Sequence, residues 1–342
     1  MSPTPKDSRD AALGAVLGAC IGDAAGAVLE FVSGDLTAAR VDHAMTMPGG
    51  GCWRVAPGQI TDDGELTLAL ARALADGGFD LERIALSYAK WIDSPPFDIG
   101  TTTRNGLGCF HESEWAAVCR KDGYASAMTR AAAQRNTGSK ANGSLMRAAP
   151  LGVWGASADC SAGGEIDVTR LAECAIADSR LSHPNPSAAD AVACYAIAIA
   201  TLIRTPGDRE AAFAAAEAWA EASAVEEVQR WLADARRGKD VAYVPQIGFV
   251  QIGFTHSFRH LLAGTDYVSA IRETIAGGGD TDTNACIVGG LVGAACGAKS
   301  IPEAMREKVL TCTTKDGRRR PDWLHAAQIP DLVDRILATP GE

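Results

Sequence analysis

The feature that most constrains the fold is a helical periodicity along almost the whole chain. Ala-rich stretches with apolar residues three and four positions apart are typical of amphipathic helices. They recur over 11–29, 65–76, 81–92, 124–135, 168–180, 186–204, 208–236, 257–275, 283–297, 301–312 and 328–338. Strand signals are scarce, because the best candidate, 241–254, contains Pro245 and two glycines that favour a loop. We therefore predict an all-α fold.

Length and composition predict one large folded unit. The chain has 342 residues, enough for two average domains or one large domain. Hydrophobic residues make up 47% and charged residues 22%, which excludes disorder, collagen and a coiled-coil rod. Since no low-complexity linker divides the chain, we predict a single domain over 1–342, with a core of about 11–312 and a C-terminal helical tail over 313–342.

Charge and cysteine pattern bear on partners and compartment. A net charge of −10 argues against a broad basic surface for nucleic acid. The longest uncharged apolar run, 191–203, is shorter than the roughly 20 residues that cross a bilayer. The apolar stretch 11–21 is a poor signal peptide, because acidic residues precede it. Ten cysteines without zinc-site spacing are typical of reduced thiols. We expect a cytoplasmic protein that binds neither membrane nor nucleic acid.

Two acidic clusters stand directly before predicted helices. Thr61, Asp62 and Asp63 precede the first of these helices, and helix capping with Glu65 is a sufficient local explanation for them. The segment 277–284, GGGDTDTN, precedes the second helix. Capping accounts for only one acid there, and two carboxylates two residues apart repel each other unless a cation lies between them.

Two other motifs with similar acids fit the second cluster less well. An EF-hand starting at Asp280 requires Gly and Glu where the chain has Ala285 and Leu291. A phosphotransferase of the aspartyl-phosphate type stays a weaker alternative, because its acids normally follow a buried strand rather than a helix end. The two clusters together supply four carboxylates and two hydroxyls, a ligand set suited to Mg²⁺ or Mn²⁺. Two such ions about 3.5–4 Å apart could hold a water and substrate oxygens.

Small residues and polar loops supply further candidates. Glycines at 14, 18, 22 and 26 predict a helix packed closely against a neighbour. Asp23 and Glu30 in the same region are either solvated acids or carboxylates that face the metal cluster. The segments 96–107 and 142–150 place polar residues at probable helix starts, where free N–H groups suit phosphate or ribose oxygens. His183 precedes Pro184, a context more typical of a structural histidine than of a catalyst.

These segments, in this order, resemble the ADP-ribosylglycohydrolase family from Gly14 to about Gly297. The motifs that carry the resemblance are GxxxGxxxGDAxG near the N-terminus, TDD at 61–63, DIGTTTR at 98–104, NGSLMR at 142–147, His183 and GGGDTDTNA at 277–285. The last motif is the most specific. The NGSLMR form is more similar to the bacterial dinitrogenase-reductase-type branch than to the branch that acts on poly(ADP-ribose).

The resemblance implies a fold and a set of site residues. The fold is a single orthogonal bundle of helices around a central cleft with a binuclear Mg²⁺ or Mn²⁺ site. The implied metal ligands are Thr61, Asp62, Asp63, Asp280, Asp282 and Thr283. Glu30 and Asp98 are the implied catalytic acids, Glu30 as a gate or proton-transfer group and Asp98 beside the scissile ribose. The implied substrate contacts are Asn142, Gly143, Ser144 and His183 at the diphosphate and ribose, and Phe254 at adenine. The chain departs from the family at Gly64, where relatives carry Thr or Ser. This departure concerns the stability of the helix cap more than metal binding.

The implied activity is metal-dependent removal of ADP-ribose from a modified side chain, foremost at the N-glycosidic bond to arginine in a protein. The metal ions would bind the ribose and activate a water. Alternatives that stay open are O-linked (serine), nucleic-acid or small-molecule ADP-ribose adducts, a catalytically weak ADP-ribose-binding module and a metal-dependent phosphohydrolase. We expect a monomer.

Overall fold

The computed structural model describes residues 5–32, 34 and 36–339, and within them it is all-α, as predicted. The first eight helices are α1 (Pro5–Gly26), α2 (Ala38–Met45), α3 (Asp62–Ala75), α4 (Leu81–Ile92), α5 (Thr101–Leu107), α6 (Ser113–Asp122), α7 (Tyr124–Arg135) and α8 (Ala149–Gly155). The next nine are α9 (Val168–Arg180), α10 (Pro186–Arg204), α11 (Arg209–Ser223), α12 (Glu226–Arg236), α13 (Val250–Ala263), α14 (Tyr267–Ala276), α15 (Thr281–Cys296), α16 (Glu303–Thr311) and α17 (Ile329–Leu337).

Short elements join some of these helices. A hairpin of two-residue strands, β1 (Ser161–Ala162) and β2 (Glu165–Ile166), precedes α9. The 3₁₀ turns of the described chain are Cys109–His111, Ala298–Ser300, Asp322–Leu324 and Ala326–Gln328.

The helix boundaries differ from the prediction in two long stretches. The stretch 208–236 is two helices, because the N–H of Val225 leaves the helical pattern and donates to Asp190 at 2.8 Å. The stretch 257–275 is also two helices, because Gly264 adopts the left-handed conformation (φ +68°) that commonly ends a helix. The helices α2 and α6 were not predicted. The starts of α5 and α8 fall at or near the segments 96–107 and 142–150, for which probable helix starts were predicted.

The segment 241–254 is part loop and part helix. It is irregular as far as Phe249, which pairs with Ala141 in an isolated bridge, and α13 then begins at Val250. The second of two QIGF sequences, 251–254, is therefore helical, whereas the first, 246–249, is loop. Identical tetrapeptides thus take different structures, because their tertiary surroundings differ.

Helix α1 packs very closely against α15. A Cβ placed at Gly14 would lie 2.1 Å from the carbonyl oxygen of Gly293, and one at Gly22 would lie 2.1 Å from that of Ala285. Both distances are far below ordinary van der Waals contact, so only glycine permits this separation. The prediction of a closely packed glycine face is confirmed, and the contact brings the end of α1 to the start of α15.

One contiguous apolar cluster includes side chains from α1 through α17. The helix α10 is long and apolar enough to cross a membrane by length and composition, and 89% of its apolar window is buried inside the protein. All ten cysteines are unpaired. The tail helix α17 packs on α1, α3 and α8, so it shares the core of the preceding helices. That the chain forms a single domain over 1–342 stays a prediction.

Candidate metal and substrate cleft

A polar cleft opens where the end of α1 and the starts of α3 and α15 meet. It has room for about 160 Å³ of solvent. Its walls are formed by Glu30, Phe31, Asp62, Asp98, Gly100, Thr101, Thr102, Thr103, Ala141, Asn142, Gly143, Met146, His183, Asp280, Asp282 and Thr283. The structure therefore brings together segments that the sequence separates by up to about 250 residues.

Seven carboxylates converge on this cleft and its floor: Asp23, Glu30, Asp62, Asp63, Asp98, Asp280 and Asp282. No Lys or Arg side chain lines the cleft within the described chain. Burial raises the pKa of every one of the seven, and repulsion from neighbouring carboxylates adds to this shift for most of them. Such a concentration of negative charge is costly unless a cation neutralises it.

Two groups of carboxylates have the spacing of a cation site. Oxygens of Asp23, Asp63 and Asp282 lie within 4.8 Å of one another, and so do those of Glu30, Asp280 and Asp282. The groups share Asp282, so they are neighbours. In addition, Oδ1 of Asp63 is buried without a hydrogen-bond partner. A donor set made only of carboxylate oxygens with an unsatisfied atom fits hard divalent cations.

Asp23 also fixes the start of α3. Its carboxylate accepts the backbone N–H of Thr61 at 2.9 Å, the hydroxyl of Thr61 at 2.8 Å and the N–H of Gly64 at 2.9 Å. The acid that caps α3 is thus 38 residues away in sequence. The local cap expected from Thr61 and Glu65 is absent, because the Thr61 hydroxyl donates to Asp23 and Glu65 pairs with Arg320.

The departure at Gly64 has a physical reason. A Cβ at this position would lie 2.7 Å from Oδ2 of Asp23. Glycine therefore allows the carboxylate of Asp23 to approach the first turn of α3. The cap does not depend on a hydroxyl at position 64, since Asp23 supplies the acceptor from α1.

Glu30 lies in the turn after α1 and is held by two donors. Nε1 of Trp53 donates to Oε2 of Glu30 at 2.6 Å, and Sγ of Cys52 lies 3.3 Å from the same oxygen. Burial, with the charges of Asp98 and Asp280, raises the pKa of Glu30 to about 7. Sequence analysis missed both donors, because an indole and a thiol more than 20 residues away carry no motif.

Asp98 stands in the loop that leads to α5 and lines the cleft with Asp62. It is only half-buried, whereas Asp62 is buried. Burial of the carboxyl group is the largest cause that raises the pKa of Asp98 to about 6. The structure thus places Asp98 at the more open part of the acidic cluster.

The loop around Asn142 is tied to the start of α15. Nδ2 of Asn142 donates to Oδ2 of Asp280 at 2.7 Å, and its backbone N–H donates to the carbonyl of Gly248 at 3.1 Å. At Gly143 a Cβ would fall 2.8 Å from Oγ1 of Thr103 and 3.0 Å from Cε1 of His183. Glycine therefore keeps the wall of the cleft open at this point.

His183 lies buried behind Gly143 in the cleft wall and keeps one ring nitrogen without a partner. Nη1 of Arg147 donates to Oγ of Ser182 at 3.0 Å, and that oxygen lies 2.8 Å from Nδ1 of His183. Since arginine only donates, Oγ of Ser182 is the acceptor in the first contact, and its own proton remains available for Nδ1. When the hydroxyl donates to Nδ1, the imidazole proton lies on Nε2. Burial and the charge of Arg147 lower the pKa of His183 to about 3, so the ring is neutral. Nε2 is buried without a hydrogen-bond partner.

Two of the predicted contacts do not reach the cleft surface. Ser144 is fully buried behind the loop, and its hydroxyl accepts from Ser179 at 3.0 Å. Phe254 is also fully buried and packs against Phe258 with ring centroids 4.8 Å apart. Neither has a free surface for a substrate. Phe249, from the first QIGF copy, is half-buried and lines a neighbouring pocket that shares Ala141 with the cleft.

Fold and site together define a class, the all-α proteins with a carboxylate-rich cleft suited to divalent cations. The sequence model of the ADP-ribosylglycohydrolase family matches residues 4–341, and the chain belongs to that family of hydrolases acting on glycosyl bonds. The resemblance carried by the motifs is thereby confirmed.

Similar proteins agree with this family assignment. The ADP-ribosyl-[dinitrogen reductase] glycohydrolase of Rhodospirillum rubrum is 30% identical over 323 residues, which are 93% of this chain and 96% of that protein. ADP-ribosylarginine hydrolase Tri1 of Pseudomonas putida (strain GB-1) is 39% identical over 112 residues, 30% of this chain and 29% of that protein. A solved structure titled ADP-ribosylglycohydrolase-related protein complex superposes with a TM-score of 0.72 at 24% identity, over 98% of this chain and 99% of that chain, which shows the shared fold.

Proposed function

We propose that the protein hydrolyses the N-glycosidic bond between ADP-ribose and an arginine side chain of a modified protein, with two Mg²⁺ or Mn²⁺ ions in the cleft. The observation that carries the proposal is the pair of carboxylate groups that share Asp282. They lie at a cleft that no Lys or Arg side chain of the described chain lines. The names of two relatives support the arginine linkage, since one is an ADP-ribosylarginine hydrolase and the other acts on ADP-ribosylated dinitrogen reductase.

The residues suited to hold the cations are the six predicted ligands together with Asp23 and Glu30. Asp23, Asp63, Asp280, Asp282 and Glu30 belong to the two spaced groups, and Asp62 and Thr283 line the same cleft. Thr61 keeps oxygen lone pairs although its proton goes to Asp23. When bound, divalent cations supply Lewis-acid chemistry, which polarises substrate oxygens and lowers the pKa of a water.

Two acidic side chains of the protein are proposed to transfer protons. Glu30, fixed by Trp53, is placed to accept a proton from the attacking water. Asp98, at the open part of the cluster, is placed to give a proton to the departing guanidino nitrogen. The transition state at the anomeric carbon carries positive charge, and the surrounding carboxylates stabilise that charge.

Neutral groups orient the substrate. Nε2–H of His183 is placed to donate to a phosphate or ribose oxygen, and Gly143 lets that oxygen approach the wall. Phe254 is fully buried. Phe249, which is half-buried in a neighbouring pocket that shares Ala141 with the cleft, replaces it as the ring proposed to contact adenine. The ten unpaired cysteines support a cytoplasmic location, and the net charge of −10 argues against nucleic acid as a partner. The names of the relatives support an ADP-ribosylated protein as the substrate, and the proposal includes action as a monomer without a membrane.

The test is release of free ADP-ribose from an arginine-ADP-ribosylated protein, followed by chromatography. We expect release with Mg²⁺ or Mn²⁺, none with chelator, and none from the Asp280→Asn variant. Glu173→Gln, which alters an exposed carboxylate on α9, is the control and keeps wild-type activity. Release only from serine-linked, nucleic-acid or small-molecule adducts would contradict the arginine linkage. ADP-ribose binding without hydrolysis, or phosphate release from phosphoesters, would contradict the glycohydrolase assignment.

A further inference from the structure

The C-terminal segment carries three consecutive arginines with different surroundings. Arg318 and Arg319 are exposed, and Arg319 forms no ion pair within the described residues. The side chain of Arg320 is only 4% exposed, and it pairs with Glu65, whose side chain is 3% exposed. Unlike its two neighbours, Arg320 turns into the protein.

One side of the Arg320 guanidinium holds the first turn of α3. Nε donates to Oε1 of Glu65 at 2.7 Å, and Nη2 donates to Oε2 at 2.8 Å. Nε1 of Trp91 also donates to Oε2 of Glu65 at 2.7 Å. Glu65 is two residues after Asp63, so this bidentate pair fixes the turn that presents the cleft acids.

The other side of the guanidinium holds the loop that leads to Asp98. Nη1 donates to the carbonyls of Ser94 at 2.5 Å and Pro95 at 3.0 Å, and Nη2 donates to the hydroxyl of Ser94 at 2.8 Å. These contacts end three residues before Asp98. All five N–H groups of Arg320 therefore have acceptors, divided between two segments that each supply cleft carboxylates.

Stability alone does not explain such a pair. A buried ion pair is often no more stabilising than apolar residues of similar volume. The segment is also docked without it, since Gln59 donates to the carbonyl of Arg318 at 2.5 Å and accepts its N–H at 2.9 Å. What Arg320 adds is a rigid planar fork between α3 and the Asp98 loop, and a lysine cannot reproduce that geometry.

We propose that Arg320 is a positioning residue of the cleft. Through Glu65 and the Ser94–Pro95 carbonyls it sets the distance of Asp98 from Asp62 and Asp63, so the C-terminal segment completes the site. The inference rests on the proposed function for its activity readout, whereas its cation-binding readout is independent of the bond hydrolysed.

The test compares Arg320→Met and Arg320→Lys with Arg319→Met, an exposed control one residue away. Calorimetric binding of Mn²⁺ alone, thermal unfolding and ADP-ribose release are measured on the full chain. For Arg320→Met we expect cooperative unfolding, Mn²⁺ affinity about 10-fold lower and turnover about 100-fold lower, with a smaller change in KM. In Arg320→Ala, whose truncated side chain leaves space at the buried site, methylguanidinium at millimolar concentration restores part of the Mn²⁺ affinity and turnover. Ammonium does not, and Arg320→Lys stays impaired.

Two outcomes would overturn the proposal. One is wild-type Mn²⁺ affinity and turnover in a folded Arg320→Met protein. The other is a loss that only follows the fall in unfolding temperature, without rescue of Arg320→Ala by methylguanidinium. If Arg320→Met does not fold, the double variant Arg320→Met/Glu65→Gln removes both charges and repeats the comparison. A wild-type protein that releases no ADP-ribose contradicts the proposed function, and the Mn²⁺ measurements still decide the role of Arg320.

Discussion

Substitution of Gly22 by alanine tests whether helix packing and the cation site depend on each other. The new Cβ would lie 2.1 Å from the carbonyl oxygen of Ala285, whereas ordinary contact begins at 3.4 Å. Both groups belong to helix backbones, so no side-chain rotation relieves the clash. We therefore expect α1 and α15 to separate by about 1 Å near this point.

The stability cost follows from two opposing effects. Overpacking of this kind costs about 3 kcal/mol at the upper end of its range, and replacing glycine with alanine in a helix recovers about 1 kcal/mol. The net loss is about 2 kcal/mol. Because a chain of this length unfolds with an entropy of about 0.7 kcal/mol per kelvin, the unfolding temperature falls by about 3 °C.

The catalytic cost is larger, because Gly22 adjoins Asp23 and Ala285 is three residues after Asp282. Separation of the two helices therefore pulls apart the oxygens that lie within 4.8 Å of each other. A displacement of about 1 Å costs about 100-fold in rate. We expect that loss in ADP-ribose release, together with weaker Mn²⁺ binding.

Gly14→Ala is the matched control. Its Cβ meets the carbonyl oxygen of Gly293 at the same 2.1 Å, but it lies eight residues, or about 12 Å, further from the site than Gly22. We expect a similar fall in unfolding temperature and a much smaller loss of turnover. Equal turnover losses in the two variants, or a wild-type unfolding temperature for Gly22→Ala, would refute the reasoning.

Three further predictions concern the acids and His183. Asp280→Asn abolishes turnover. In the presence of chelator it also raises the unfolding temperature, because one repelling charge is gone, and circular dichroism with thermal melts checks this. Wild-type activity would contradict the ligand assignment. Burial raises the pKa of Asp23 and of Glu30 to about 7 from 3.8 and 4.5, so the folded state binds protons more tightly than the unfolded state. The free energy of unfolding of the chelated protein therefore decreases from about pH 4 to about pH 7, and saturating Mn²⁺ abolishes that decrease. Denaturant titrations across this range measure it. A free energy of unfolding that does not change with pH in the chelated protein would count against the buried cluster. Ser182→Ala removes the partner of Nδ1 of His183 and raises KM about 10-fold, the value of one hydrogen bond, with a smaller effect on kcat. ¹⁵N NMR of this variant then shows both tautomers of His183. A signal from the Nε2–H tautomer alone would show that Ser182 does not set the tautomer.

Local sequence was sufficient wherever one segment determines its own structure. The apolar periodicity predicted both ends of α10, because Pro186 starts the helix and an uninterrupted apolar face continues to Arg204. The glycines of α1 predicted a close partner, since their four-residue spacing leaves a bare stripe on one helix face. The acids at 280 and 282 marked a cleft, because capping could not account for both.

Long-range contacts decided the features that the sequence did not show. The break before α12 depends on Asp190, a side chain on another helix. The donors to Glu30 come from an indole and a thiol with no recognisable spacing. Arg320 directly follows two exposed arginines in the sequence, and its contacts with Glu65, Ser94 and Pro95 distinguish it from them. In each case the partner lies more than 20 residues away, beyond the reach of any periodic pattern.

The position of Asp23 explains why the glycine stripe and the acidic cluster occur together. Helices with ordinary side chains at their contact pack 8–10 Å apart at their axes, and short Asp side chains on two such helices reach each other poorly across that gap. Gly22 and Gly26 remove the obstructing Cβ atoms at the end of α1, so Asp23 reaches both Asp282 and the first turn of α3. One carboxylate then caps a helix and joins a cation site. Any substitution that widens the α1–α15 contact should therefore weaken the α3 cap and the cation site together.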